Sequence, residues 1–201
     1  MSPLARIFIP WTAALSVLFL GVLLHGCAPK AQATASPQVS NAASIVQPLI
    51  LKVGSAMPTF SYRLLNARRL TTRELSGHPY MVWVMATWCS SCQGGIDVIK
   101  QHISDLQQHN LRIVQLEAAG DLGYAGPPLA AMRTSAGPAA LATNWYWGEA
   151  SASQMQVLDP KGYPDIYYLI DAKGRIRGIS GAPAATWSDI ATFAKYGRLA
   201  Q

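Results

Sequence analysis

"YMVWVMATWCSSCQGGIDVIKQHISDLQQHN", Tyr80 to Asn110, decides the fold. Its first part, Tyr80 to Thr87, is a continuous, β-prone and largely apolar run, the pattern of a strand buried on both faces. In its second part Ile96, Ile99, Ile103 and Leu106 recur at three- and four-residue spacing, with Asp97, Lys100, Gln101, Asp105 and Gln108 elsewhere around the wheel. That predicts an amphipathic helix ending near Asn110. "LRIVQLEAAG", Leu111 to Gly120, reads as a further strand, and a strand–helix–strand unit of this kind favours a parallel pair with a right-handed crossover. Cys89 and Cys92 therefore stand where a buried strand hands over to a helix, and the pair either exchanges electrons, holds a metal or closes a small loop.

The helix start offers free N–H groups and a partial positive charge to the first sulfur, which stabilises a thiolate at Cys89. Cys92, one turn further in, is near enough to close a disulfide and to resolve a mixed disulfide formed by Cys89 on a substrate. Trp88 would shield one side of the pair. A structural zinc uses the same C-x-x-C spacing but needs four ligands, and the folded part adds only His78, His102 and His109. His102 and His109 lie on or near the polar side of the helix and read as solvated, so no metal is expected. A purely structural disulfide is the weakest reading, because so small a loop adds little stability. Gly94 and Gly95 each cost the helix about 1 kcal/mol relative to alanine. They read as tight helix packing, ahead of close approach by a partner's backbone.

The chain has 201 residues, half of them hydrophobic and 13% charged, enough for one ordinary domain. It opens with Arg6, the apolar run "WTAALSVLFLGVLL" and "HGCAPK", the layout of an export signal. Leu24-His25-Gly26-Cys27 resembles a bacterial lipoprotein box, which would make residues 1–26 a signal peptide and Cys27 the lipidated first residue. An uncleaved anchor over Ile7 to Leu24 and a cleaved, soluble product are the alternatives. The first two readings tether the protein to a membrane, facing outward. Net charge is +6, or +5 without Arg6, with no Lys/Arg cluster interleaved with aromatics, so no nucleic-acid partner is expected. With Cys27 lipidated, the folded part keeps two cysteines, and an oxidising compartment lets such a pair cycle.

Residues 27–52 carry the lipid-attachment cysteine and a flexible Ala/Ser/Gln/Pro tether, long enough to reach about 60 Å at ~3 Å per residue. The domain is placed at 53–201. Phe60, Tyr62 and Leu64 alternate ahead of Asn66-Ala67 and Leu70, giving two short strands and a turn, and Thr71 to Leu75 reads as one helical turn ended by Gly77. Between 121 and 154, Pro127-Pro128 and Gly137-Pro138 punctuate an alanine-rich piece read as one or two short helices, and "NWYWG" (144–148) reads as core or loop packing or else a docking surface. "DIYYLID" (165–171), Ala172-Lys173-Gly174 and "RIRGISG" (175–181) predict a hairpin, and "TWSDIATFAKYG" a closing helix capped by Thr186 or Ser188. Asp159 and Asp165 read as turn residues.

"ATWCSSC" after a buried strand, the helix and strand that follow, and "GYPDIYYLIDAKGRIRGISG" resemble the thioredoxin superfamily over about residues 53–197, and more narrowly the membrane-tethered TlpA/ResA-type thiol–disulfide oxidoreductases. The resemblance implies a three-layer α/β/α fold with a mixed central sheet and an added N-terminal β-hairpin at 59–71. It implies an extracytoplasmic enzyme whose Cys89–Cys92 pair is the redox-active disulfide, with no other cofactor and protein thiols or disulfides as substrates. Trp88, Tyr163 and a cis Pro164 would shape the substrate groove. A membrane electron donor or acceptor, a monomeric state and a reducing role are further implications, with apocytochrome thiols, another oxidoreductase or misoxidised proteins as the substrate choices. Two positions depart from the pattern: Trp83 stands where thioredoxins often carry a buried carboxylate, and Gly95 where TlpA/ResA-type proteins often carry a glutamate. Glu117 is the nearest replacement as proton acceptor for Cys92. Copper-binding relatives usually space their cysteines by three residues and add a late histidine, whereas no histidine follows His109 here. A tethered module that binds copper or a client thiol without turnover is the alternative function.

Overall fold

A computed structural model of the chain describes residues 49–199. The signal segment, Cys27 and the tether as far as residue 48 lie outside the described residues. Among the described residues no helix is long and apolar enough to cross a membrane.

Seven strands form one mixed sheet: β1 Ser61–Leu64, β2 Arg69–Thr71, β3 Tyr80–Met85, β4 Arg112–Glu117, β5 Trp145–Glu149, β6 Asp165–Ile170 and β7 Ile176–Ser180. Their order across the sheet is β2-β1-β5-β4-β3-β6-β7. β3, β4 and β5 run parallel, and the flanking pairs are antiparallel. Four helices complete the domain: α1 Ser90–Gln108, α2 Leu129–Ser135, α3 Ala152–Leu158 and α4 Trp187–Tyr196.

The alternation of β3 builds the layers. Met81, Trp83 and Met85 face the isoleucines of α1, Leu129 and Met132 of α2, and Ile190 and Phe193 of α4. Tyr80, Val82 and Val84 face the other way, toward Tyr62, Leu64, Leu70, Met155 and Leu158. Every residue of β3 is buried, as a central strand covered on both faces must be. The expected three-layer arrangement, with its N-terminal hairpin and its parallel β3–β4 crossover through α1, is present. α1 stops where expected: Asn110 turns left-handed at φ 56° and the Leu111 N–H closes back on the Leu106 carbonyl.

The stretch 144–148 is core packing, one of the expected alternatives, in the form of a strand rather than a loop. It supplies β5, inserted between β1 and β4, with Trp145 and Trp147 packed on the α1 side and Tyr146 on the opposite face. The buried Gln115 amide is satisfied within this layer, accepting from Trp145 Nε1 at 2.9 Å and donating to Met85 Sδ. Thr186 is the N-cap residue of α4 but makes no side-chain cap bond. Its hydroxyl donates instead to the Gly181 and Ala182 carbonyls and accepts from Tyr167.

Candidate functional site

β3 ends at Met85, and four residues later Cys89 occupies the N-cap of α1. No side chain caps this helix and its first turn holds no acid, so its positive end is left to the Cys89 sulfur. Both cysteines are free thiols. Cys89 is 7% exposed and Cys92, behind it, has no exposure. The Cys92 thiol donates to the Pro164 carbonyl at 3.0 Å. Burial pushes this thiol strongly up, reinforced by its hydrogen bond with Cys89 and by the negative charge of Asp165. Cys89 is therefore the less enclosed of two buried thiols, and burial favours the protonated form of Cys92.

Pro164 thus lies against the pair, but not as a cis residue: no peptide bond among the described residues is cis. The trans Tyr163–Pro164 bond lets Pro164 continue the line of β6, and its carbonyl accepts from Ala86 N–H at 2.8 Å, one step beyond the Met85–Asp165 pair. The carbonyl next to the thiols is accordingly already paired within the sheet. Tyr163 is 48% exposed; its N–H donates to Asp159 Oδ1 and the Lys161 ammonium sits over its ring. Asp159 is a turn residue, as expected, whereas Asp165 is not.

Asp165 opens β6 opposite Met85 and joins the thiols. Its nearest carboxylate oxygen and the two sulfurs lie within 4.8 Å of one another. Trp83 Nε1 donates to Oδ1 at 2.8 Å and the Ser91 hydroxyl to Oδ2 at 2.9 Å. Ser91 Oγ is in turn 3.0 Å from Cys89 Sγ. Glu117, the expected acceptor, does not join this group; its carboxyl is pushed up by burial and by the charges of Asp121 and Glu149. Two thiols and a doubly engaged carboxylate fall one short of the four ligands a structural zinc takes, and no histidine joins them among the described residues.

Gly95 explains the vacancy left by the missing carboxylates. A Cβ there would fall 2.7 Å from Cη2 and 2.9 Å from Cζ2 of Trp83. The indole fills that space, so Gly95 serves tight packing, as preferred from the sequence. Gly94 is not needed in this way, since its Cβ would sit 3.7 Å from that of Ala184.

The other wall is built by a segment the sequence did not single out. Gly120, Asp121, Leu122 and Gly123 are consecutively left-handed, with φ 59°, 51°, 58° and 85°. The turn swings the Asp121 carboxylate onto Thr87, accepting from its N–H at 2.7 Å and its hydroxyl at 2.6 Å, while the Asp121 carbonyl accepts from Trp88 Nε1. Left-handed geometry costs a non-glycine residue about 1 kcal/mol or more, which these charge-assisted bonds offset. Trp88, 39% exposed, packs edge-on against Tyr124, itself 67% exposed, at 5.1 Å between ring centroids. Gly126 passes so close that a Cβ would lie 2.1 Å from Thr87 Oγ1 and 2.7 Å from Trp88 N. Asp121 carried no local signal, being one acid after an alanine-glycine run.

The mixed sheet in this strand order, with helices on both faces, is a thioredoxin-like fold, and it carries a free dithiol at the start of the helix that follows β3. No protein-family model matches the sequence, and no curated protein matches it significantly. Among solved structures, one similar to it is a candidate protein disulfide isomerase of Bacteroides thetaiotaomicron, at 17% identity and TM-score 0.56, covering 73% of this chain and 92% of that one. A thiol:disulfide interchange protein of the thioredoxin family from Chlorobium tepidum has 18% identity and TM-score 0.50, covering 71% and 97%. A SCO1/SenC family lipoprotein of Bacillus anthracis has 16% identity and TM-score 0.52, covering 70% and 93%. These likenesses are of fold.

Proposed function

We propose that this chain is an extracytoplasmic thiol–disulfide oxidoreductase that exchanges dithiol for disulfide with protein substrates, Cys89 attacking and Cys92 resolving. The observation that carries the reading is the graded burial of two free thiols at the uncapped start of α1, with Cys89 at the rim and Cys92 enclosed. Trp88, Tyr124 and Tyr163 supply exposed aromatic surface for an extended client segment, and the redox-active disulfide is the one cofactor required. Export by the N-terminal signal, lipid attachment at Cys27 and exchange with a membrane electron carrier belong to the same reading, as does action on cytochrome thiols awaiting haem. Names of the fold neighbours, an interchange protein and a lipoprotein among them, are consistent with it.

The test is a redox titration of the full chain in mild detergent against defined thiol buffers, reading Cys89 and Cys92 by mass-tagging. A reversible two-electron midpoint is expected. A value toward about −270 mV would mark a reductant and one toward about −120 mV an oxidant. A pair that forms no reversible disulfide overturns the reading and leaves a module that binds without turnover.

A further inference from the structure

Cys92 has an acid–base requirement that the helix start does not meet. Its sulfur is buried, its thiol is held protonated, and its hydrogen-bond partner, the Pro164 carbonyl, cannot keep a proton. Exchange nonetheless needs this thiol to ionise once per turnover. The ionisable groups that bear on it are Cys89 on its own helix and Asp165 on β6, with no cation among them.

Asp165 is placed to serve. Its oxygen and both sulfurs lie within 4.8 Å of one another, a span that one water bridges. Trp83 Nε1 anchors Oδ1, which fixes the carboxylate against the pair. Ser91 gives its single hydroxyl proton to Oδ2, so in the 3.0 Å contact between Ser91 Oγ and Cys89 Sγ the thiol is the donor. A continuous chain, thiol to hydroxyl to carboxylate, therefore runs from Cys89 to Asp165.

We propose that Asp165 is the proton acceptor of this dithiol, reached from Cys89 through the Ser91 hydroxyl and from Cys92 across the short gap between them. The proposal rests on the thiol–disulfide reading above. In the first step the Cys89 proton passes to Ser91 as the Ser91 proton passes to Asp165. The Cys89 thiolate then attacks a substrate disulfide; the bond from Cys89 to substrate sulfur forms, the substrate disulfide breaks, and the departing thiolate takes the proton back from Asp165. In the second step Asp165 takes the Cys92 proton and the Cys92 thiolate attacks Cys89. The Cys89–Cys92 disulfide forms, the mixed disulfide breaks, and the second substrate thiolate leaves with that proton. Two electrons and two protons have moved from the protein pair to the substrate, and the reverse sequence oxidises a client.

The two steps separate with Ellman's reagent. The reduced full chain in mild detergent, mixed with one equivalent, releases one coloured thiolate when Cys89 forms the mixed disulfide and a second when Cys92 displaces it; Cys92→Ser shows the first release alone. In Asp165→Asn the second release is expected to slow about a hundredfold at neutral pH, and to depend on pH more steeply than in the wild type, approaching tenfold per unit. Ser91→Ala is expected to slow the first release and spare the second, and Asp165→Glu to recover part of the second. Simple electrostatics predicts the opposite sign for Asp165→Asn, because losing a negative charge eases ionisation of Cys92. A second release as fast as wild type, or faster, overturns the proposal. Asp165→Asn is expected to slow the first release as well, as Ser91→Ala does, and release of both thiolates in full, only slower, together with native circular dichroism separates a lost acceptor from a lost fold. Absence of both releases in the wild type would refute the exchange reading itself.

Discussion

Two adjacent glycines should respond to the same substitution with opposite signs. Gly94 and Gly95 both lie inside α1, where replacing glycine by alanine stabilises a helix by about 1 kcal/mol when nothing stands in the way. At Gly94 the new methyl meets Ala184 Cβ at 3.7 Å, an ordinary contact, so the full gain is available. At Gly95 it meets two Trp83 ring carbons at 2.7 and 2.9 Å and Pro183 Cδ at 3.2 Å. Comfortable carbon contacts start at about 3.5 Å, so the ring would have to retreat by roughly 0.8 Å. Trp83 has no exposed surface and its Nε1 is tied to Asp165, which leaves it nowhere to go without breaking that bond or opening the sheet. Overpacking of this kind costs about 1–3 kcal/mol, and the helix gain returns about 1 of it. Gly95→Ala is therefore expected to lower stability by up to about 2 kcal/mol and Gly94→Ala to raise it by up to about 1 kcal/mol. Urea unfolding of the reduced full-length chain, followed by tryptophan fluorescence, reads both. A Gly95→Ala protein stabilised as much as Gly94→Ala would refute the packing argument.

The Cys92 thiol, raised by burial, favours the fold while it stays protonated; above about pH 8.5 the unfolded thiol ionises and the folded one does not. The reduced protein should then lose stability relative to the oxidised one by up to about 1.4 kcal/mol per pH unit, and parallel melts that do not diverge above about pH 9 would contradict this. Asp121→Ala removes the acceptor of two Thr87 bonds and is expected to cost about 2–4 kcal/mol, with faster quenching of Trp88 fluorescence by iodide. Glu117 has its carboxyl raised by burial and by Asp121 and Glu149, so its contribution to stability is present at low pH and lost as it ionises. Glu117→Gln should accordingly raise the melting temperature at neutral pH and leave it unchanged at about pH 3.

Elements with an unbroken pattern were legible in the sequence. Tyr80–Thr87, the isoleucine stripe of α1 and the hairpin around Ala172-Lys173-Gly174 each carry their own periodicity or turn. β5 was not, because five residues dominated by aromatics look alike in a loop, a core plug or a strand; only the open edge of β4 makes "WYWGE" a strand. The cysteines announced themselves by spacing. Asp165 could not, since its meaning depends on the antiparallel register that sets it opposite Met85, and register is a property of two strands. The Asp121 wall depends on a left-handed run at Asp121 and Leu122, residues with no bias toward that geometry strong enough to read.

Trp83, Gly95 and Asp165 are best understood as one arrangement. The first two occupy positions where the proteins this sequence resembles often place a carboxylate, and taken singly each looks like a loss. Together they make a different packing: Gly95 yields its side-chain volume to the indole, and the indole turns its Nε1 toward β6. A carboxylate on β3 or α1 would have to enter the space the ring occupies, whereas one at the start of β6 reaches the thiols from the rim. From there it meets Trp83 on one oxygen and Ser91 on the other. Ser91 thereby gains a part that a residue between two cysteines does not have by spacing alone. It couples the outer thiol to the same carboxylate that the fully enclosed thiol faces, so a single acid on a strand end is within reach of both sulfurs.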